Sequence, residues 1–89
     1  MTKTIRLSEA RRGDRGVIVK VGDHCHHDEM AVELERRLLE LGFVEGARVE
    51  LLHEGLFGRD PIAIKVDDMT VGLRRREAGS LLVELEGAA

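Results

Sequence analysis

Aromatic residues are almost absent from this sequence: Phe43 and Phe57 stand alone, with no tryptophan and no tyrosine. A core must therefore be built from Val, Leu and Ile, and the flat side chains on which single-strand nucleic-acid binders stack bases are missing. The single cysteine, Cys25, excludes an intramolecular disulfide. No apolar run is long enough for a membrane-spanning helix, and no apolar signal region opens the chain. These absences predict a soluble, cytoplasmic protein with no direct membrane insertion.

Charge, by contrast, is abundant: 35% of the 89 residues are Asp, Glu, Lys or Arg, with a formal net charge of -3. Arginines gather at Arg11, Arg12 and Arg15, at Arg36 and Arg37, and at Arg74, Arg75 and Arg76, each group with acids beside it. Interleaved signs read as solvated faces rather than a basic footprint, so no nucleic-acid partner is expected. The length fits one domain, residues 1–89, able to bury about 60% of the surface its unfolded chain exposes. Residues 22–28 form a His/Cys-rich loop within it, and 87–89 read as a frayed tail.

Periodicity supplies the elements. Residues 16–21, GVIVKV, read as a strand with Val17, Val19 and Val21 on one side. Ahead of it Ser8 is placed to cap one helical turn, and Gly13 and Gly16 bracket a tight turn. From 28 to 41 the period becomes helical, with Met30, Leu34, Leu38 and Leu41 on one stripe and Ala31 beside them. Asp28 suits the N-cap, Glu29 the first turn, and Gly42 the left-handed position that ends a helix. Glu33 and Arg37, at i,i+4, are spaced for an ion pair of about 0.3 kcal/mol.

After Gly42 the period returns to two. Ala47, Val49 and Leu51 form one alternating set, Ile62, Ile64 and Val66 a second, Met69, Val71 and Leu73 a third, and SLLVELE a last strand. Asp67-Asp68 is short enough for a hairpin turn. Five short strands, one helix and no crossover helices predict a small antiparallel barrel plugged by the helix.

Two stretches carry candidate chemistry. GDHCHHDE places His24, Cys25, His26 and His27 together, a thiolate and imidazole set that suits Zn²⁺ or Fe²⁺. Adjacent residues of an extended loop point to opposite sides, so His24 and His26 converge while Cys25 and His27 diverge unless the loop turns tightly. Glu29, His53 or a second chain are the groups available to complete such a site. The same stretch provides no fixed nucleophile, base and orienter, and Gly55-Leu56-Phe57-Gly58 lacks the Lys and hydroxyl of a phosphate loop, so no enzymatic activity is expected. The second stretch is EGLFGRDP, where Leu56 and Phe57 sit between glycines as an apolar pair at a hairpin tip suited to partner contact. The outer helix face, with Glu33, Arg36, Arg37 and Glu40, is a further docking surface, suited to steering an association.

The order and spacing of Leu38, Leu39, Leu41, Gly42, Phe43 and Gly46, of Asp60-Pro61-Ile62, and of Leu73-Arg74-Arg75 with Glu77-Ala78 resembles the ferrous iron transport protein A (FeoA) family. The opening LSEARRGDRGVIV extends the likeness over nearly the whole chain. The resemblance implies a mainly β fold: a small SH3-like five-stranded antiparallel barrel with one α-helix between the first and second strands. Such a domain is related to the C-terminal domain of the diphtheria-toxin-repressor class of metal regulators.

The matched positions Leu38, Leu41, Gly42, Phe43, Gly46 and Pro61 each have an architectural reason. The leucines and Phe43 fill the core, the glycines let the chain leave the helix and turn, and Pro61 fixes φ where a strand begins. The His/Cys stretch reads as an insertion relative to the usual family pattern. By resemblance the chain is an accessory or regulatory protein of ferrous iron transport, contacting the cytoplasmic part of the FeoB-type permease and requiring no cofactor. The alternative is a metal-responsive regulatory domain that binds Zn²⁺ or Fe²⁺ through His24, Cys25, His26 and His27.

Overall fold

A computed structural model describes residues 3–22 and 29–86. In chain order these form β1 (Lys3–Arg6), a 3₁₀ turn (Leu7–Glu9), β2 (Arg15–Val21), α1 (Glu29–Glu40), β3 (Arg48–Phe57), β4 (Asp60–Val66), β5 (Met69–Leu73), α2 (Arg75–Ala78) and β6 (Leu81–Leu85). The strands make one six-stranded antiparallel sheet in the order β1-β6-β2-β3-β4-β5.

The expected count of five strands is corrected by β1, whose Lys3, Thr4, Ile5 and Arg6 pair with Leu85, Glu84, Val83 and Leu82. An edge strand with a single apolar residue carries no alternation to read, and its partner lies at the opposite end of the sequence. The main helix consequently falls between the second and third strands, and a second, four-residue helix, α2, precedes β6. Hydrogen bonding does not run full circle among the described residues, because the strand order ends at β1 and β5. The core is sealed instead by side chains from outside the strands: Leu38, Phe43, Leu7, Ala10 and Ala78 join Val49, Leu51, Ile62, Ile64, Val66, Leu73, Leu81 and Val83 in one cluster.

Local chemistry explains the element ends. At the close of α1 the Phe43 N–H donates to the Leu38 carbonyl at 3.0 Å and the Gly42 N–H to the Leu39 carbonyl at 3.1 Å, the paired bonds of a Schellman motif. Gly42 takes φ 103° to make them, and Phe43 is thereby turned into the core with no exposed surface. The β4–β5 hairpin turns through Asp67-Asp68 as expected, with Val66 opposite Met69. The β3–β4 hairpin turns through Gly58 and Arg59, both at positive φ (64° and 59°), the requirement of a two-residue type I′ turn.

Three local expectations change. Ser8 does not cap the first turn; it lies inside the 3₁₀ turn, where the Glu9 carboxylate accepts the Arg6 N–H at 3.3 Å. Gly16 is not a turn residue: it sits in β2 between Val49 and Leu85, and a Cβ there would meet the Glu84 carbonyl oxygen at 2.2 Å. The core side chain of β2 is Ile18 rather than the valine face, and a bulge at Val19 reverses the alternation that the valines suggest. Arg37 pairs with Glu77 on α2 instead of with Glu33 at i,i+4. Met30's side chain and Asp28 lie outside the described residues, as does the 87–89 tail.

Candidate docking site at the Leu56 hairpin

The β3–β4 hairpin derives its shape from Pro61. Between the pairs Glu54–Ile62 and Phe57–Asp60, two residues of β3, Gly55 and Leu56, oppose one residue of β4, Pro61. Proline has no N–H for the ladder, and an unpaired extra residue on the facing strand is accommodated where a donor is missing. Gly55 permits the close approach: a Cβ at that position would lie 2.0 Å from the Asp60 carbonyl oxygen. Leu56 is left 95% exposed, an apolar side chain that no folding argument requires at this place.

Beside this hairpin lies the part-buried arginine of α2, Arg75. The Arg75 guanidinium donates from Nε to the Arg59 carbonyl at 2.9 Å, from Nη1 to the Ser8 and Ala10 carbonyls at 2.9 and 3.0 Å, and from Nη2 to Glu54 Oε1 at 2.8 Å. Its backbone N–H donates to Asp60 Oδ1 at 2.9 Å. One side chain thus ties the strand before the bulge, the turn after it and the N-terminal 3₁₀ turn together. Sequence reasoning grouped Arg75 with Arg74 and Arg76 as solvated charge, yet its side chain is only 16% exposed. No signal in a run of three arginines distinguishes the inward one.

The other face of α2 meets α1. Arg37 pairs with Glu77 at 3.0 Å rather than with Glu33, and Arg36 makes the contact to Glu33 at 3.7 Å with both side chains about two-thirds exposed. Glu77 is fixed from behind, since its Oε1 accepts the Arg74 N–H at 2.9 Å. An open groove lined by Ala31, Leu34, Arg36, Arg37, Arg76 and Glu77 follows the two helices. The expected docking residues therefore lie on two surfaces joined by α2: Leu56 on the hairpin that Arg75 holds, Arg36 and Arg37 on the helix that Glu77 holds. The Phe57 side chain lies outside the described residues.

His24, Cys25, His26 and His27 also lie outside the described residues, and Glu29 is described only in its backbone. His53 is exposed on β3 opposite Ala63. Among the described residues no three His, Cys, Asp or Glu side chains are grouped to hold a metal ion, and no helix is long and apolar enough to cross a membrane.

A six-stranded antiparallel sheet around an apolar core, sealed by one main helix, defines a small SH3-like domain. The FeoA domain profile matches residues 5–85, and the chain belongs to that family. A Porphyromonas gingivalis protein described as a fusion of Fe(2+) transport protein A and the Fe(2+) transporter FeoB is 37% identical over 81 residues. That match covers 91% of this chain and only 9% of the fusion protein. FeoA of Stenotrophomonas maltophilia, solved in complex with zinc and described as an SH3 domain protein, is 32% identical with a TM-score of 0.72, covering 93% of this chain and 88% of that one. A FeoA-like protein of Clostridium acetobutylicum is 25% identical with a TM-score of 0.81, covering 100% of this chain and 94% of that one.

Proposed function

We propose that this chain is a nonenzymatic accessory domain of ferrous iron uptake, acting in the cytoplasm by contact with the cytoplasmic part of a FeoB-type permease. The observation that carries the reading is the 37% identity to a segment of a protein described as a transport protein A/FeoB fusion. Fusion to a transporter keeps a small domain at high effective concentration beside it, an arrangement useful when the two make contact. Leu56 and Phe57 supply the apolar contact and Arg36 and Arg37 the steering charge. An exposed leucine contributes most when an apolar pocket covers it, whereas exposed charges act mainly on encounter rate.

The test is a titration of isotope-labelled protein with the soluble cytoplasmic part of the permease. Chemical-shift changes concentrated at Leu56 and on α1 are expected; an unperturbed spectrum at both would overturn the reading.

A second reading is favoured by the zinc complex of the Stenotrophomonas relative together with the ligand-rich stretch. In it, His24, Cys25, His26 and His27 bind Zn²⁺ or Fe²⁺ and metal occupancy modulates the permease contact. Zinc titration of the reduced protein distinguishes the two: affinity that survives Cys25→Ser combined with His26→Ala removes the metal reading, while permease binding that needs both metal and His26 supports it.

A further inference from the structure

We infer that Arg75 is a positioning residue for partner docking: it holds the bulged hairpin so that Leu56 stands ready for an apolar pocket on the partner. The inference rests on the proposed permease contact and specifies how one of its surfaces is prepared. Leu56 lies in the bulge of β3 before the Gly58-Arg59 turn rather than at the expected hairpin tip, and an exposed bulge that samples several conformations must be ordered at a cost to affinity when a partner binds. Here the two ends of the bulge are held from outside the sheet. Glu54, immediately before Gly55 and Leu56, accepts Nη2 at 2.8 Å; Arg59, in the turn after them, accepts Nε at 2.9 Å. Asp60 is held through the Arg75 backbone N–H at 2.9 Å.

The anchor for this clamp is the 3₁₀ turn, through the Ser8 and Ala10 carbonyls, and Ala10 belongs to the core. Arg59 adopts φ 59°, a left-handed conformation unusual for a residue with a side chain, and its carbonyl is one of the groups Arg75 binds. The planar fork of a guanidinium suits several acceptors in fixed directions; an ammonium at the same place cannot reproduce that set. Arg75→Lys therefore keeps the charge and much of the fold while loosening the hairpin.

The experiment measures dissociation of the soluble cytoplasmic part of the FeoB-type permease from wild type, Arg75→Lys, Leu56→Ala and the double variant, alongside amide exchange in each. Arg75→Lys should accelerate exchange at residues 54–60 while leaving β2 and β6 protected, and should raise the dissociation rate about tenfold. Leu56→Ala should cost about tenfold in the wild-type background and much less in Arg75→Lys, because a misplaced side chain has little contact to lose. If Arg75→Lys fails to fold, Glu54→Gln removes the ion pair with less disturbance and the same pattern is expected. Strictly additive effects of the two substitutions on dissociation would overturn the positioning role while leaving the permease contact intact. Absence of binding by the wild-type chain would overturn the contact itself, and this inference with it.

Discussion

Arg75 Nη2 lies 2.8 Å from Glu54 Oε1, with the two side chains only 16% and 20% exposed. The pair is supported by three backbone carbonyls on the same guanidinium, so its removal strands several acceptors at once. Breaking a buried pair by deleting one partner costs about 3–5 kcal/mol, and the residual exposure here places Arg75→Ala at the lower end, about 3 kcal/mol. Urea unfolding monitored by circular dichroism checks this; a loss below about 1 kcal/mol would mean that the clamp does not stabilise the fold.

Gly16 and Gly72 make a matched comparison within one sheet. A Cβ on Gly16 would meet the Glu84 carbonyl oxygen at 2.2 Å, whereas one on Gly72 meets nothing within 4 Å. Gly16→Ala should push β2 and β6 apart and lower stability by about 2 kcal/mol or more, as overpacking does. Gly72→Ala should be neutral or stabilise by up to about 1 kcal/mol through the unfolded chain. Thermal melts of the two variants should therefore shift in different directions or by very different amounts.

Glu77 and Arg37 face each other but should not be equal partners. Arg37 is 57% exposed and contributes an ordinary surface pair, about 0.2–1 kcal/mol. Glu77 additionally accepts the Arg74 N–H at the start of α2, a capping bond whose loss costs about 1 kcal/mol. Glu77→Ala should thus destabilise more than Arg37→Ala, and the difference should persist in high salt, which screens the ion pair.

Leu56→Ser is expected to leave the melting curve within about 0.5 kcal/mol of wild type, because a side chain 95% exposed loses no burial. The same substitution should weaken capture of the permease's cytoplasmic part in a pull-down. Equal capture by both proteins would remove Leu56 from the contact.

The parts of this fold legible in sequence are those governed by local periodicity. Ile62, Ile64 and Val66 alternate and are all buried; Leu38 and Phe43 fall where the helical stripe and its glycine stop place them. What escaped depends on long-range pairing. The short β1 is recognisable only against β6, and the bulges at Val19, Leu52 and Gly55-Leu56 break alternation where the sequence continues smoothly. The same limit applied to the docking site. Leu56 between glycines stands out in the sequence as an exposed apolar residue, but Arg75, which holds the Glu54 and Arg59 flanks of its bulge, has the same side chain as its two neighbours and differs from them only in where the fold points it.

The place of β6 in the sheet has a consequence for how the chain is made. It is the last of the six strands in chain order, yet among the described residues it lies between β1 and β2, which are joined in the sheet through it. The first strands synthesised must wait for the final one before their ladders close, while β3, β4 and β5 can already zip as consecutive hairpins. Assembly during synthesis therefore runs from the middle of the domain outward, and the sheet is completed only once β6 is available to both β1 and β2.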